Sequence, residues 1–133
     1  MSLPNFSTEN SILTINGRTI KDWGNTDPPY VHRQIDDKET LRRGMGGAAV
    51  RYRRVNEGWE QTINLNPGSD DSLYLQGLYN AGTIIVGSYV TVGTLEGAVF
   101  SEGVIVRCKE VNRGGPALGD DTFVIQYNIG AQT

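Results

Sequence analysis

WEQTINLNPGSDDSLYLQGLYNAG, residues 59–82, contains one strand, one helix and the signals that separate them. Trp59, Ile63 and Leu65 alternate with Glu60, Thr62 and Asn64, the period-two pattern of a strand with one face turned inward. Pro67 and Gly68 break that strand. Ser69 is suited to cap a helix, because its hydroxyl can accept from an orphan N–H of the first turn. Asp70 and Asp71 follow, where carboxylates complement the positive end of the helix dipole. Leu75, Leu78 and Tyr79 share a face at helical spacing, and Gly82 is a natural stop. The pattern predicts one short helix over 69–81.

On either side of this stretch the chain reads as strands. Ile12–Ile15 and Arg18–Lys21 flank Asn16-Gly17, a two-residue hairpin signal whose turn positions both need positive φ. Tyr30–Ile35 alternates, with Val31, Arg33 and Ile35 opposite Tyr30, His32 and Gln34. Residues 41–47 hold three glycines in their last four positions, which argues against a regular element there. Residues 48–55 return to alternation, with Val50 and Tyr52 opposite Arg51 and Arg53 and a slip at Arg54. After the helix come 83–92, then 97–111 as a long or bulged strand in which Val104, Val106 and Cys108 oppose Arg107 and Lys109. A final strand sets Phe123, Ile125, Tyr127 and Ile129 against Val124, Gln126 and Asn128. Six to nine strands with one short flanking helix predict a mainly β fold, a β-sandwich or small barrel. The expected organisation is a single β domain over 1–133, with a loose N-terminal arm at 1–10, a Gly/Arg-rich hairpin arm at 41–55 and a Gly-rich loop at 112–121.

Composition narrows the functional classes. The chain has 133 residues, 38% apolar and 20% charged, enough for one core without metals or disulfides. Its 17 glycines follow no period, which excludes collagen-like and low-complexity readings. They suit turns and bulges between short strands. The formal charge of -3 argues against a whole-surface nucleic-acid binder. The N-terminus lacks the pattern of a signal peptide, and no apolar run approaches the length of a membrane span, so no membrane anchor is expected.

No catalytic constellation is visible. His32 lies among Arg33 and Gln34, without the nucleophile and orienting group that acyl-transfer chemistry needs, and is read as a surface or interface residue. One cysteine and one histidine cannot complete a structural zinc site. Asp70-Asp71 is read as helix capping and Asp120-Asp121 as a solvated turn, since neither has the alternating oxygen ligands of a calcium loop. Gly44-Met45-Gly46-Gly47 lacks the Lys-Ser or Lys-Thr and the following helix of a phosphate loop. No metal, cofactor or enzymatic activity is therefore expected. Cys108 is expected to be a buried structural thiol. Trp59 is expected in the core, with Trp23 a core or interface anchor.

The arginines carry the functional signal. Arg42, Arg43, Arg51, Arg53 and Arg54 place five of the twelve basic residues in one short stretch, around Gly44, Met45, Gly46 and Gly47. Three readings are open: a solvated strand face, a pliable arm that pairs with acidic groups of a neighbouring subunit, or a contact to nucleic-acid phosphates. The second makes these nine residues the candidate inter-subunit contact.

The layout resembles the tail tube proteins of tailed bacteriophages and the related type VI secretion tube proteins. The resemblance rests on the hairpin Leu13–Ile20, the glycine-centred charged segment Arg42–Gly47, and the Thr62–Leu65 strand running through Asn66–Ser72 into a Leu-rich helix. It covers most of residues 11–128; the arginine content of the loop and the Asn112–Asp121 segment depart from it. It implies a structural virion protein assembled in the host cytoplasm, forming stacked, hexameric rings that make a conduit for DNA. It also implies partners: further copies of the chain, sheath or baseplate proteins, a tape measure in the lumen, and DNA passing without specific binding. A tail terminator or baseplate ring component is an alternative within the same resemblance. Outside it, the rival is a module whose arginine-rich loop binds nucleic acid or an acidic protein.

Overall fold

A computed structural model of the chain describes residues 11–116 and 118–133. The N-terminal arm expected at 1–10 lies outside the described residues. Strands β1 (Ser11–Ile15) and β2 (Arg18–Ile20) form the expected hairpin, and both Asn16 and Gly17 take positive φ, 49° and 86°. Next come β3 (Tyr30–Gln34), β4 (Glu39–Arg43), β5 (Ala49–Arg53) and β6 (Trp59–Leu65). Helix α1 (Asp70–Ala81) is followed by β7 (Ile85–Thr91), β8 (Gly97–Arg107) and β9 (Asp121–Gln132). The described residues give nine strands in two sheets and one helix, the mainly β fold of six to nine strands and one short helix that the alternation predicted.

Seven strands form one antiparallel sheet in the order β2-β1-β7-β8-β9-β6-β3, while β4 and β5 pair only with each other. The large sheet bends back on itself. Strands β8, β9 and β6 lie between β7 and β3, yet the rings of Tyr89 (β7) and Tyr30 (β3) stack at 4.4 Å. Beyond β2 the chain crosses toward β6: Trp23 bridges Leu65, Gly24 N–H donates to Asn64 O (2.9 Å), and Asn66 N–H donates to Asp22 O (2.8 Å). This short bridge narrows the opening without closing a barrel, so the layout is sandwich-like.

The core lies inside the bend. Leu13, Ile15, Ile63, Leu65, Ile85, Phe123 and Ile125 have no exposed surface, and Trp59 is 8% exposed. Each such side chain contributes about 1.5–3 kcal/mol on burial. Helix α1 seals one end by inserting Leu75, which is also fully buried. Ser69 caps it by accepting from Ser72 N–H (3.3 Å), and Gly82 ends it with φ 67°. Of the expected apolar stripe, Leu75 and Leu78 pack inward, but Tyr79 is 40% exposed and Tyr74 takes its place against the core.

Several expectations are corrected. Cys108 is exposed, not buried. The inward residues of β8 are Ala98, Phe100 and Ile105, while Val104 and Val106 face out. The cause is Glu102, whose positive φ of 55° adds an extra residue between the inward Phe100 and Gly103 and so moves the alternation by one position. Opposite this kink β9 changes face as well: Tyr127 is buried, whereas Ile129 is 43% exposed. Asn64 is buried instead of facing out, held by Pro29 O and by the Thr122 hydroxyl, which donates to its Oδ1 (2.7 Å). The stretch expected to lack regular structure at 41–47 holds the end of β4, and the turn is confined to Met45–Gly47. Asp121, expected in a solvated turn, has no exposed surface.

Candidate assembly surfaces

Strands β4 and β5 form a ribbon outside the large sheet, and every one of their residues is exposed. The register pairs Glu39 with Arg53, Leu41 with Arg51 and Arg43 with Ala49 on one face. Thr40 pairs with Tyr52 and Arg42 with Val50 on the other. The turn is closed by Gly44 N–H to Ala48 O (2.7 Å), and Met45 at its tip is wholly exposed. The structure therefore brings all nine candidate residues, Arg42, Arg43, Gly44, Met45, Gly46, Gly47, Arg51, Arg53 and Arg54, into one hairpin. Three ion pairs hold the hairpin and its base: Arg51 with Glu39, Lys38 with Glu57 (3.2 Å) and Arg54 with Asp36 (4.0 Å). Among the described residues Arg42, Arg43 and Arg53 form no ion pair. Such exposed pairs contribute at most about 1 kcal/mol each, and an isolated two-stranded ribbon is marginal in water.

The body offers two contrasting outer faces. Around β3, β6 and β9 the face carries charge: beside the exposed Val31, Arg33 pairs with Glu60 (3.0 Å), and Gln126 donates to the same carboxylate (3.1 Å). Around β1, β7 and the paired ends of β8 and β9 the outward side chains carry no charge. Ile12, Val86, Val90, Val99 and Ile129 are all between 38% and 61% exposed there, separated by Thr14, Ser88, Ser101 and Ala131. Small residues leave an open depression of about 410 Å³ between Val86, Val99 and Ile129. Residues 83–92 read in the sequence only as a long strand, with neither face assigned to solvent. The signal was the Val86-Ser88-Val90 alternation within that run.

Two polar networks keep the body rigid. Asp71 accepts from Arg18 Nε (2.8 Å) and from the N–H groups of Lys21 (2.7 Å) and Asp22 (2.9 Å), which fastens α1 to the end of β2. Asp121 accepts from the Ser72 hydroxyl (2.6 Å), Gly68 N–H (3.1 Å) and Arg113 (3.0 Å), which fastens α1 to the start of β9. Burial pushes both carboxyls up. In each case the donors outweigh it and hold the group below the usual carboxylate range.

His32 lies in the seam of the bent sheet, within 6.0 Å of the ring centres of Tyr30, Tyr89, Trp59 and Phe100. Tyr127 donates to Gln61 Oε1 (2.8 Å), and Gln61 Nε2 donates to Tyr30 Oη (2.9 Å). The Tyr30 hydroxyl is then free to donate to His32 Nδ1 (2.9 Å), and His32 Nε2 donates to Gln132 Oε1 (2.6 Å). Nε2 thus joins β3 to β9, while Nδ1 is held by Tyr30 within β3 itself. Trp23 packs against the core beside Tyr30, edge to face at 6.1 Å.

No protein-family model matches the sequence, and no curated protein matches it by sequence. Solved structures match in fold along the whole chain. A chain of the anti-feeding prophage cap, the cap that terminates its tube, aligns with a TM-score of 0.64 at 8% identity and covers 100% of this chain and 93% of its own. A chain from the sheath/tube terminator structure of an extracellular contractile injection system gives 0.60 at 11% identity, covering 100% and 99%. A chain of the six-fold symmetrised anti-feeding prophage baseplate gives 0.58 at 11% identity, covering 100% and 97%. The fold is therefore the one found in tube and tube-terminator structures of contractile injection systems. The resemblance first seen in the layout of the sequence holds at that level.

Proposed function

We propose that this chain is a structural, non-enzymatic subunit that assembles with copies of itself into the tube, or the ring that terminates the tube, of a phage-tail-like injection particle. The observation that carries the reading is the end-to-end match to tube-terminating chains, with almost nothing left over on either side. The finer picture is six copies per ring, stacked to form a conduit through which DNA passes in the phage-tail case. A sheath or baseplate and a tape measure are its particle partners, and assembly takes place in the host cytoplasm. The six-fold symmetry of one matching structure supports the ring number. The exposed ribbon at 39–53, with Arg42, Arg43, Gly44, Met45, Gly46, Gly47, Arg51 and Arg53 within it and Arg54 at its base, is the inter-subunit arm. Its exposure supports that role, since a marginal ribbon gains stability by docking.

The arm is tested by replacing residues 40–52 with an Asn-Gly turn that joins the paired Glu39 and Arg53. The variant should keep its β-type circular dichroism and unfolding midpoint and sediment as a monomer where the parent sediments as rings. A variant that assembles like the parent contradicts the arm assignment. The free arginines favour one second reading, a nucleic-acid contact. A duplex-DNA affinity that falls steeply with salt and is lost in the armless variant would support it.

A further inference from the structure

The ribbon and the uncharged face are two unpartnered surfaces of one chain, and their chemistry is complementary. Residues 38–54 carry six basic groups and one acidic, a net charge of +5. The whole chain is -3, which leaves -8 on the remainder. Body against body is repulsive, whereas arm against body is attractive. A contact between two different surfaces is heterologous, so it repeats from copy to copy and closes into a ring or continues as a filament.

The ribbon also has a preferred side. Thr40, Val50 and Tyr52 share one face with a single charge, Arg42, while the opposite face carries Arg43, Arg51 and Arg53. Val50 and Tyr52 are 68% and 63% exposed. The apolar side needs an acceptor without charged groups. The polar outer face, with its Arg33–Glu60–Gln126 network, is unsuited to it. The face of β1, β7, β8 and β9 is suited: Val86, Val99 and Ile129 wall its depression, and the small Ser88, Ser101 and Ala131 leave room for incoming side chains. Exposed carboxylates stand next in sequence to its two ends, Glu96 before Gly97 and Glu102 after Ser101.

We propose that the depression between Val86, Val99 and Ile129 is the receptor for the Val50/Tyr52 side of the ribbon from a second copy. The inference rests on the self-assembly reading and names the surface that reading leaves open. Docking buries Val50 and Tyr52 and covers the apolar face, and it leaves Arg43, Arg51 and Arg53 on the outside of the joint.

Site-directed crosslinking tests it on the full chain, with Cys108→Ser removing the native exposed thiol. One preparation carries Val50→Cys and a second carries Val99→Cys. A control carries Thr62→Cys on the polar outer face. Mixed at assembling concentration and mildly oxidised, Val50→Cys and Val99→Cys copies should form the dominant disulfide-linked heterodimer, and Val50→Cys with Thr62→Cys should form little. Independently, Val99→Glu should unfold at the parent's temperature and fail to assemble. If the parent assembles but Val50→Cys couples to the Thr62→Cys control, or to neither, the receptor assignment is overturned and self-assembly stands. If Val99→Glu assembles normally, the assignment is overturned as well. A parent that stays monomeric at every concentration and salt overturns both.

Discussion

Asp121 is a carboxylate with no exposed surface, surrounded by the Ser72 hydroxyl, Gly68 N–H and Arg113. Asp121→Asn removes the charge and turns one acceptor into a donor facing those donors, which should cost about 2–4 kcal/mol in urea unfolding. The same geometry sets an acid limit. The Asp71 and Asp121 carboxyls are held below their ordinary value in the folded chain, so their stabilisation is complete above the unfolded value of about 4. It is lost as pH falls through the lower folded values. The unfolding midpoint should therefore vary little with these groups between about pH 7 and pH 5 and fall below about pH 4, and less steeply in Asp121→Asn. Steric limits are equally local. A Cβ on Gly103 would overlap the ring of Tyr127 and press on Ile85 O, so Gly103→Ala should destabilise by about 1–3 kcal/mol. An unchanged midpoint in this variant would mean that β8 and β9 can spread apart. Neither the setting of Asp121 nor the exposure of Cys108 was legible in the sequence. Asp121 looked like half of a solvated pair, because its partners Ser72 and Arg113 come together with it only after the chain folds. Cys108 looked buried because the alternation does not show that β8 ends at Arg107, one residue before it.

At the scale of elements, local chemistry was easier to read. Asn16-Gly17, Ser69 and Gly82 each specify a backbone geometry by their own side chains or lack of them, and each was found in the geometry expected. Most strands were legible from alternation, and so was the grouping of Val50 with Tyr52 against Arg51 and Arg53, but β4 was hidden by the glycines that follow it. Strand phase was not legible past a bulge, nor was the identity of the exposed side of β7, because both depend on what packs above the sheet. The ribbon's independence has a direct consequence for dynamics. Amides of β4 and β5 are protected only by each other, while those of β9 lie between β8 and β6. Hydrogen exchange of dilute protein should be fast throughout 39–53 and slow at 123–127. Assembly should slow the ribbon by at least about tenfold if docking stabilises it by more than about 1.4 kcal/mol. Ribbon amides that exchange equally fast in monomer and assembly would show that the arm stays free.

For the whole molecule, the uneven charge and the uncovered surfaces fit a subunit that is completed by its neighbours. The body is acidic, the arm is basic, one outer face is polar and the other is uncharged. β2 and β3 end the large sheet, and free strand edges are hazards that a ring can cover. These properties emerge only in three dimensions, which is why the sequence offered an inter-subunit arm as one of three open readings of the arginines and showed no sign of the uncharged face. Likeness in fold to tube-terminating chains supports the proposed assembly, and the charge separation between arm and body would give that assembly a driving force that salt should weaken. Negative-stain electron microscopy of the purified full chain at high concentration and low salt tests this most directly. Rings of uniform diameter, alone or stacked into tubes, are expected. A monodisperse monomer across all concentrations and salts, with no ring in any field, would contradict it.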